Sequence, residues 1–114
     1  MQAKFVYAIR FVTDMDAALA YFRDTLGLSV KFATPFWSEF DTGGVTLALH
    51  PASDTNPAGQ VRLGFSTEDL AGVYAARAAT GVDFAEAPRP QHGSLISMIR
   101  DLEGVEISLS GGPA

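Results

Sequence analysis

The sequence has no cysteine and only 2 histidines among 114 residues. The missing thiols exclude a disulfide framework, thiolate metal sites and a cysteine nucleophile. Two histidines exclude a histidine-rich metal centre within one chain. Basic residues are also scarce, with 8 Lys and Arg against 13 Asp and Glu, a net charge of -5. A phosphate-backbone binder needs a basic face, so no nucleic-acid partner is expected. No apolar run approaches the ~18 residues that span a bilayer. Arg10 and Asp14 interrupt the opening segment too early for a signal peptide. No membrane partner and a cytoplasmic location follow as expectations. A Gly-rich phosphate loop is missing as well; Gly43-Gly44 and Gly111-Gly112 read as a turn and a tail. What is present is apolar: 47% hydrophobic against 18% charged residues, enough for a core in one domain spanning 1–114.

The chain matches itself. Phe11-Val12-Thr13-Asp14 aligns with Phe65-Ser66-Thr67-Glu68, which places Ala17 on Ala71, Arg23 on Arg77 and Gly27 on Gly81. Further on, Asp41-Thr42-Gly43-Gly44-Val45 aligns with Asp101-Leu102-Glu103-Gly104-Val105, and Leu47 and Leu49 fall on Ile107 and Leu109. The spacing widens between the two matches, and the Pro-rich stretch 87–93 is expected to absorb the difference as a loop. Matches in a common order indicate a duplicated half-domain. Each half is too short to bury much core alone.

Both halves read alike. Lys4 to Val12 is rich in Phe, Val, Tyr and Ile and suits a strand. Thr13 or Asp14 can cap a helix whose core stripe is Ala18, Leu19, Phe22 and Leu26, ending at Gly27. Three short strands are expected at 28–33, 36–41 and 45–50. The second half repeats this with a strand at 60–66, a helix capped by Ser66 or Thr67 and ending near Gly81, and strands at 82–85, 94–100 and 105–110. The predicted organisation is module 1 over 1–50, a linker over 51–59 and module 2 over 60–114.

The segment from Val12 to Leu28, with Tyr21-Phe22 ahead of Leu26-Gly27, resembles the opening of the vicinal oxygen chelate superfamily, the glyoxalase, bleomycin-resistance and extradiol-dioxygenase group. Asp101-Leu102-Glu103-Gly104-Val105-Glu106-Ile107-Ser108-Leu109 resembles its ending, although Leu102 replaces a usual proline and Ser108 a usual glutamate. The resemblance implies an α+β fold: two tandem βαβββ modules forming a half-open mixed β-sheet barrel around a central cavity, with helices outside. It also implies a homodimer. Metal-using members carry ligands on the first and last strand of each module, positions that map here onto Tyr7, Ala48, Arg62 and Ser108. A one-residue slip would exchange Arg62 for Val61. Alanine cannot coordinate, arginine repels a cation, and serine and neutral tyrosine are poor ligands. No metal site and no cofactor are therefore expected.

Strand alternation puts Ile9, Phe11, Thr46, His50, Gly64, Ser66, Glu106 and Ser110 on the same face as those four. Phe36, Trp37 and Phe40 are expected as an adjacent aromatic cluster, with Trp37 able to stack on a planar ligand. An inward Arg62 needs an anionic partner: Glu106, Glu39 or a ligand carboxylate. His50 at a strand end and His92 in the Pro-rich loop are candidate general bases or solvated residues. The candidate ligand-binding set is Tyr7, Trp37, Ala48, His50, Arg62, His92 and Ser108; no catalytic residue stands out. The first functional reading is a metal-free protein that binds a drug or metabolite. The second is a superfamily enzyme, either metal-free or using a displaced site built from His50, His92, Glu39 and Glu106. The third is a dimerisation or partner-binding module with a filled cavity.

Overall fold

A strand is followed by a helix and three more strands, and the same order then recurs. The computed structural model describes residues 1–114. The elements are β1 (Lys4–Val12), α1 (Met15–Ala20), a π-helical turn (Tyr21–Thr25), β2 (Ser29–Phe32), β3 (Ser38–Asp41), β4 (Thr46–Pro51), β5 (Val61–Ser66), α2 (Leu70–Ala75), α3 (Arg77–Thr80), β6 (Asp83–Gln91), β7 (Ser94–Arg100) and β8 (Glu106–Pro113). This is the α+β class with two βαβββ modules. The chain divides into two compact units, Tyr7–Arg62 and Leu63–Ala114 together with Met1–Val6.

In the first unit the strand order is β2-β3-β4-β1. β1 runs parallel to β4, with Tyr7 opposite Thr46, Ile9 opposite Ala48 and Phe11 opposite His50. β3 is antiparallel to β4 and β2 to β3. The two-residue period of the strands then sorts the side chains onto two faces. On one, Leu49 and Phe40 pack with Leu19 of α1, flanked by Val12, Met15, Phe22 and Leu47. Burying each Leu or Phe in this way is worth about 1.5–3 kcal/mol. On the other, Ile9, Phe11 and Ala48 pack with Tyr7 and Trp37. Asp14 caps α1, its Oδ1 accepting the Ala17 N–H at 3.1 Å. Gly27 follows at φ 74°, where only glycine turns without strain.

In the second unit the order is β5-β8-β7-β6, with β5 parallel to β8 and the remaining pairs antiparallel. Leu70 and Leu109 are fully buried, and Tyr74 meets Phe84 edge-on at 4.9 Å. The registers resolve the slip left open by the sequence. Gly64 pairs with Ser108 as Ile9 pairs with Ala48, so Arg62 is the repeat counterpart of Tyr7.

Three expectations are corrected here. The second helix is capped not by Ser66 or Thr67 but by Asp69, which accepts the Gly72 N–H at 3.0 Å. At Thr67 the chain still pairs with β8, its N–H donating to the Ser110 carbonyl at 2.8 Å, so the helix starts only at Leu70. The Pro-rich stretch is not a loop: residues 83–91 form β6, whose pairing with β7 shifts register twice. The extra residues lengthen the strands, 9 in β6 and 7 in β7 against 4 each in β2 and β3, and Pro88 and Pro90 are tolerated because β6 is an edge strand. Gly111-Gly112 is no tail but the end of β8. A Cβ on Gly111, at φ 130°, would overlap the Thr67 carbonyl oxygen.

Gly111→Ala is therefore expected to lower unfolding free energy by more than about 1 kcal/mol, since neither backbone nor neighbour can yield. Gly104→Ala, where a Cβ meets nothing, should cost less. Urea denaturation of both variants checks the order.

Candidate functional site

The face of the first unit away from α1 gathers the chemistry. Tyr7 and Phe11 reach it from β1, and Thr46, Ala48 and His50 from β4, as alternation dictates. Trp37 stands immediately before β3 and Glu39 within it, two residues apart and so on one side. The Thr34 hydroxyl donates to the Trp37 carbonyl at 2.7 Å and accepts the Phe36 and Trp37 N–H groups at 3.2 and 2.9 Å. This turn fixes the backbone that carries the indole.

Glu39 is the hub. It is only 9% exposed. Its Oε2 accepts the Trp37 indole N–H at 2.7 Å and the Tyr7 hydroxyl at 3.4 Å. Trp37 meets Tyr7 edge-on at 5.8 Å and His50 at 6.1 Å, and His50 meets Phe11 at 5.5 Å. The exposed His50 also keeps its Nδ1 2.8 Å from the Pro51 carbonyl. Two cations flank the cluster. Lys31 of β2 donates to the Thr46 hydroxyl at 2.8 Å. Arg62 lies over the Phe11 ring at 5.3 Å and donates to Asn56 Oδ1 at 2.8 Å.

Burial first, then the Glu39 charge and its hydrogen bond, raise the Tyr7 phenol above its ordinary value of 10.0. Tyr7 thus stays neutral and donates to the carboxylate.

The predicted residues divide accordingly. Tyr7, Trp37, Ala48, His50 and Arg62 belong to this unit, and Tyr7, Trp37 and His50 are joined by ring contacts. Ser108 lies in β8 of the second unit, opposite Gly64 and Met98. His92 sits at the β6–β7 turn with φ 50°, followed by Gly93 at φ 81°. That tight turn replaces the expected long loop. The expected aromatic trio also separates. Phe36 is 76% exposed, and Phe40 is fully buried on the α1 face because it follows Glu39 by one residue. Glu39, Lys31 and Asn56 were not among the expected ligand residues. The spacing of Trp37 and Glu39 along one strand is the signal that would have found the carboxylate.

At Tyr7, Ala48, Arg62 and Ser108, where the resemblance implies metal ligands, the side chains do not fit a divalent cation. Tyr7 is a neutral donor, Ala48 is a buried methyl, and Arg62 is a guanidinium already held by Asn56. Nor do three His, Asp or Glu side chains gather anywhere as a metal-binding group.

The model of the Glyoxalase/Bleomycin resistance protein/Dioxygenase superfamily matches residues 4–109. No curated protein matches the sequence. Among solved structures, a hypothetical protein from Bacillus halodurans is similar with TM-score 0.79 and 14% identity, covering 100% of this chain and 97% of that one. A superfamily member from Vibrio splendidus gives 0.69 and 17%, covering 96% and 99%. Methylmalonyl-CoA epimerase from Streptomyces coelicolor, in complex with 2-nitronate-propionyl-CoA, gives 0.74 and 23%, covering 97% and 95%. At these identities the likeness is one of fold. No helix is long and apolar enough to cross a membrane.

The Tyr7 shift gives a pH prediction. Its folded value lies above the unfolded one, so its contribution to stability is intact below pH 10 and is lost as pH rises through the folded value. Tyr7→Phe should therefore lose less stability than the unmodified protein between pH 10 and the end of tyrosine titration, as followed by chemical denaturation at stepped pH.

Proposed function

We propose that this chain, which belongs to the Glyoxalase/Bleomycin resistance protein/Dioxygenase superfamily, is a metal-free binding protein for a small molecule, a drug or metabolite. The observation that carries the reading is the combination on one sheet face. Tyr7, Trp37, Phe11 and His50 supply flat apolar surface, and Glu39 supplies a fixed polar group. Small-molecule sites are built this way, largely apolar with a few placed polar groups. At the positions where the resemblance implies metal ligands, the side chains are wrong for coordination. Ala48 and Arg62 complete the proposed ligand-binding set on this unit, and Ser108 and His92 are proposed as ligand-contacting residues of the second unit, with no cofactor. We further propose a homodimer in the cytoplasm that engages neither nucleic acid nor membrane.

A second reading, a superfamily enzyme, is favoured by the partly buried carboxylate–phenol pair of Glu39 and Tyr7 and by the likeness to methylmalonyl-CoA epimerase. The pair could exchange a proton with a bound substrate without metal. Stoichiometric metal in protein purified without chelator, or turnover of any panel compound, would favour this reading over simple binding.

Trp37 is the single tryptophan, so its fluorescence reports on this face alone. Titration with a panel of aromatic drugs and metabolites is expected to change Trp37 emission and raise the melting temperature. Trp37→Ala should weaken the same compounds by roughly 2- to 12-fold, the value of ~0.5–1.5 kcal/mol of ring contact. A panel that neither stabilises the protein nor alters its emission refutes the binding reading. Light scattering at micromolar concentration is expected to give about twice the 12.1 kDa chain mass; a mass equal to one chain refutes the dimer.

A further inference from the structure

Resting on the reading that this face binds a small molecule, we infer that its ligand carries a protonated amine on a flat apolar body, with the ammonium directed at Glu39 Oε1. Both donors to Glu39 end on the same oxygen, Oε2. No buried side-chain nitrogen or oxygen lacks a partner, so Oε1 is reached by solvent. One carboxylate oxygen therefore anchors the group, and the other presents acceptor sites. Both anchoring donors, a phenol and an indole, are neutral, and neither cancels the carboxylate charge. Neither of the two cations on this face is bonded to Glu39: Lys31 donates to Thr46, and Arg62 donates to Asn56 and lies over the Phe11 ring.

The surroundings favour the same ligand. The Tyr7 and Trp37 rings stand at 75° to each other and the Trp37 and His50 rings at 81°, so they form walls at angles to one another. Tyrosine and tryptophan faces are electron-rich and attract an ammonium group. An anionic ligand would meet the Glu39 charge at short range, and a neutral one would leave that charge without a counter-ion. The net charge of -5 acts in the same direction at long range.

Calorimetry with three matched probes tests the inference: naphthylmethylamine, naphthylmethanol and naphthoate. The amine is expected to bind at least roughly ten-fold tighter than the alcohol at low salt, as hydrogen bonds to charged groups do, with naphthoate weakest. Glu39→Gln should abolish the preference for the amine over the alcohol. Because Glu39 is buried, a salt series on the unmodified protein stands beside the variant. Raising sodium chloride should weaken the amine several-fold and leave the alcohol unchanged. Equal affinity for amine and alcohol, or naphthoate as the tightest probe, overturns the ammonium inference and leaves the binding face standing. Failure of all three probes overturns both.

Discussion

The parallel pairing of β1 with β4 decides what every side chain of the first unit can do. With Ile9 opposite Ala48, the odd residues of β1 and the even residues of β4 share one face. Val12, Leu47 and Leu49 are left to the helix side, where they meet Leu19 and Phe22. A one-residue slip would move Leu49 and Leu47 to the aromatic face and drive His50 into the core. The hydrophobic contacts that hold α1 down are thus also what hold Tyr7, Trp37 and Glu39 together. Packing energy on one side of the sheet enforces polar geometry on the other.

That geometry is costly in isolation. A carboxylate only 9% exposed is disfavoured unless hydrogen-bonded. The indole and the phenol supply that bonding at Oε2. The charge in turn keeps the phenol protonated. The three side chains are therefore coupled, and substituting any one alters the environment of the others. Fixing a charge against an apolar wall in this way readies it for a partner before that partner arrives.

Much of the fold was legible in the sequence because the signals were local or repeated. Asp14 caps α1 as read, Gly27 and Gly81 end their helical segments, and the strand–helix–three-strand order holds in both halves. The errors share one cause: distant backbone contacts outweighed local preference. Thr67 looks like a cap, but Ser110 holds its N–H. Pro88 and Pro90 look like loop residues, but an edge strand accommodates them. The site was half legible. Alternation places Tyr7, Phe11, Ala48 and His50 on one face, whereas Glu39 enters only as one of three alternative partners for Arg62 and as part of a displaced metal site. One of its donors, Trp37, is two residues away, but the other, Tyr7 of β1, reaches it only through the pairing of β1 with β4 and of β4 with β3.

The proline-bearing edge has a consequence for the chain in a crowded solution. A free strand edge is a template on which another chain can extend the sheet. In β6, Pro88 and Pro90 carry no N–H. A strand pairing there would meet two rings where a ladder needs donors, and the register shifts nearby break its straightness. The insertion that distinguishes the second half from the first thereby acts as a guard against runaway sheet growth.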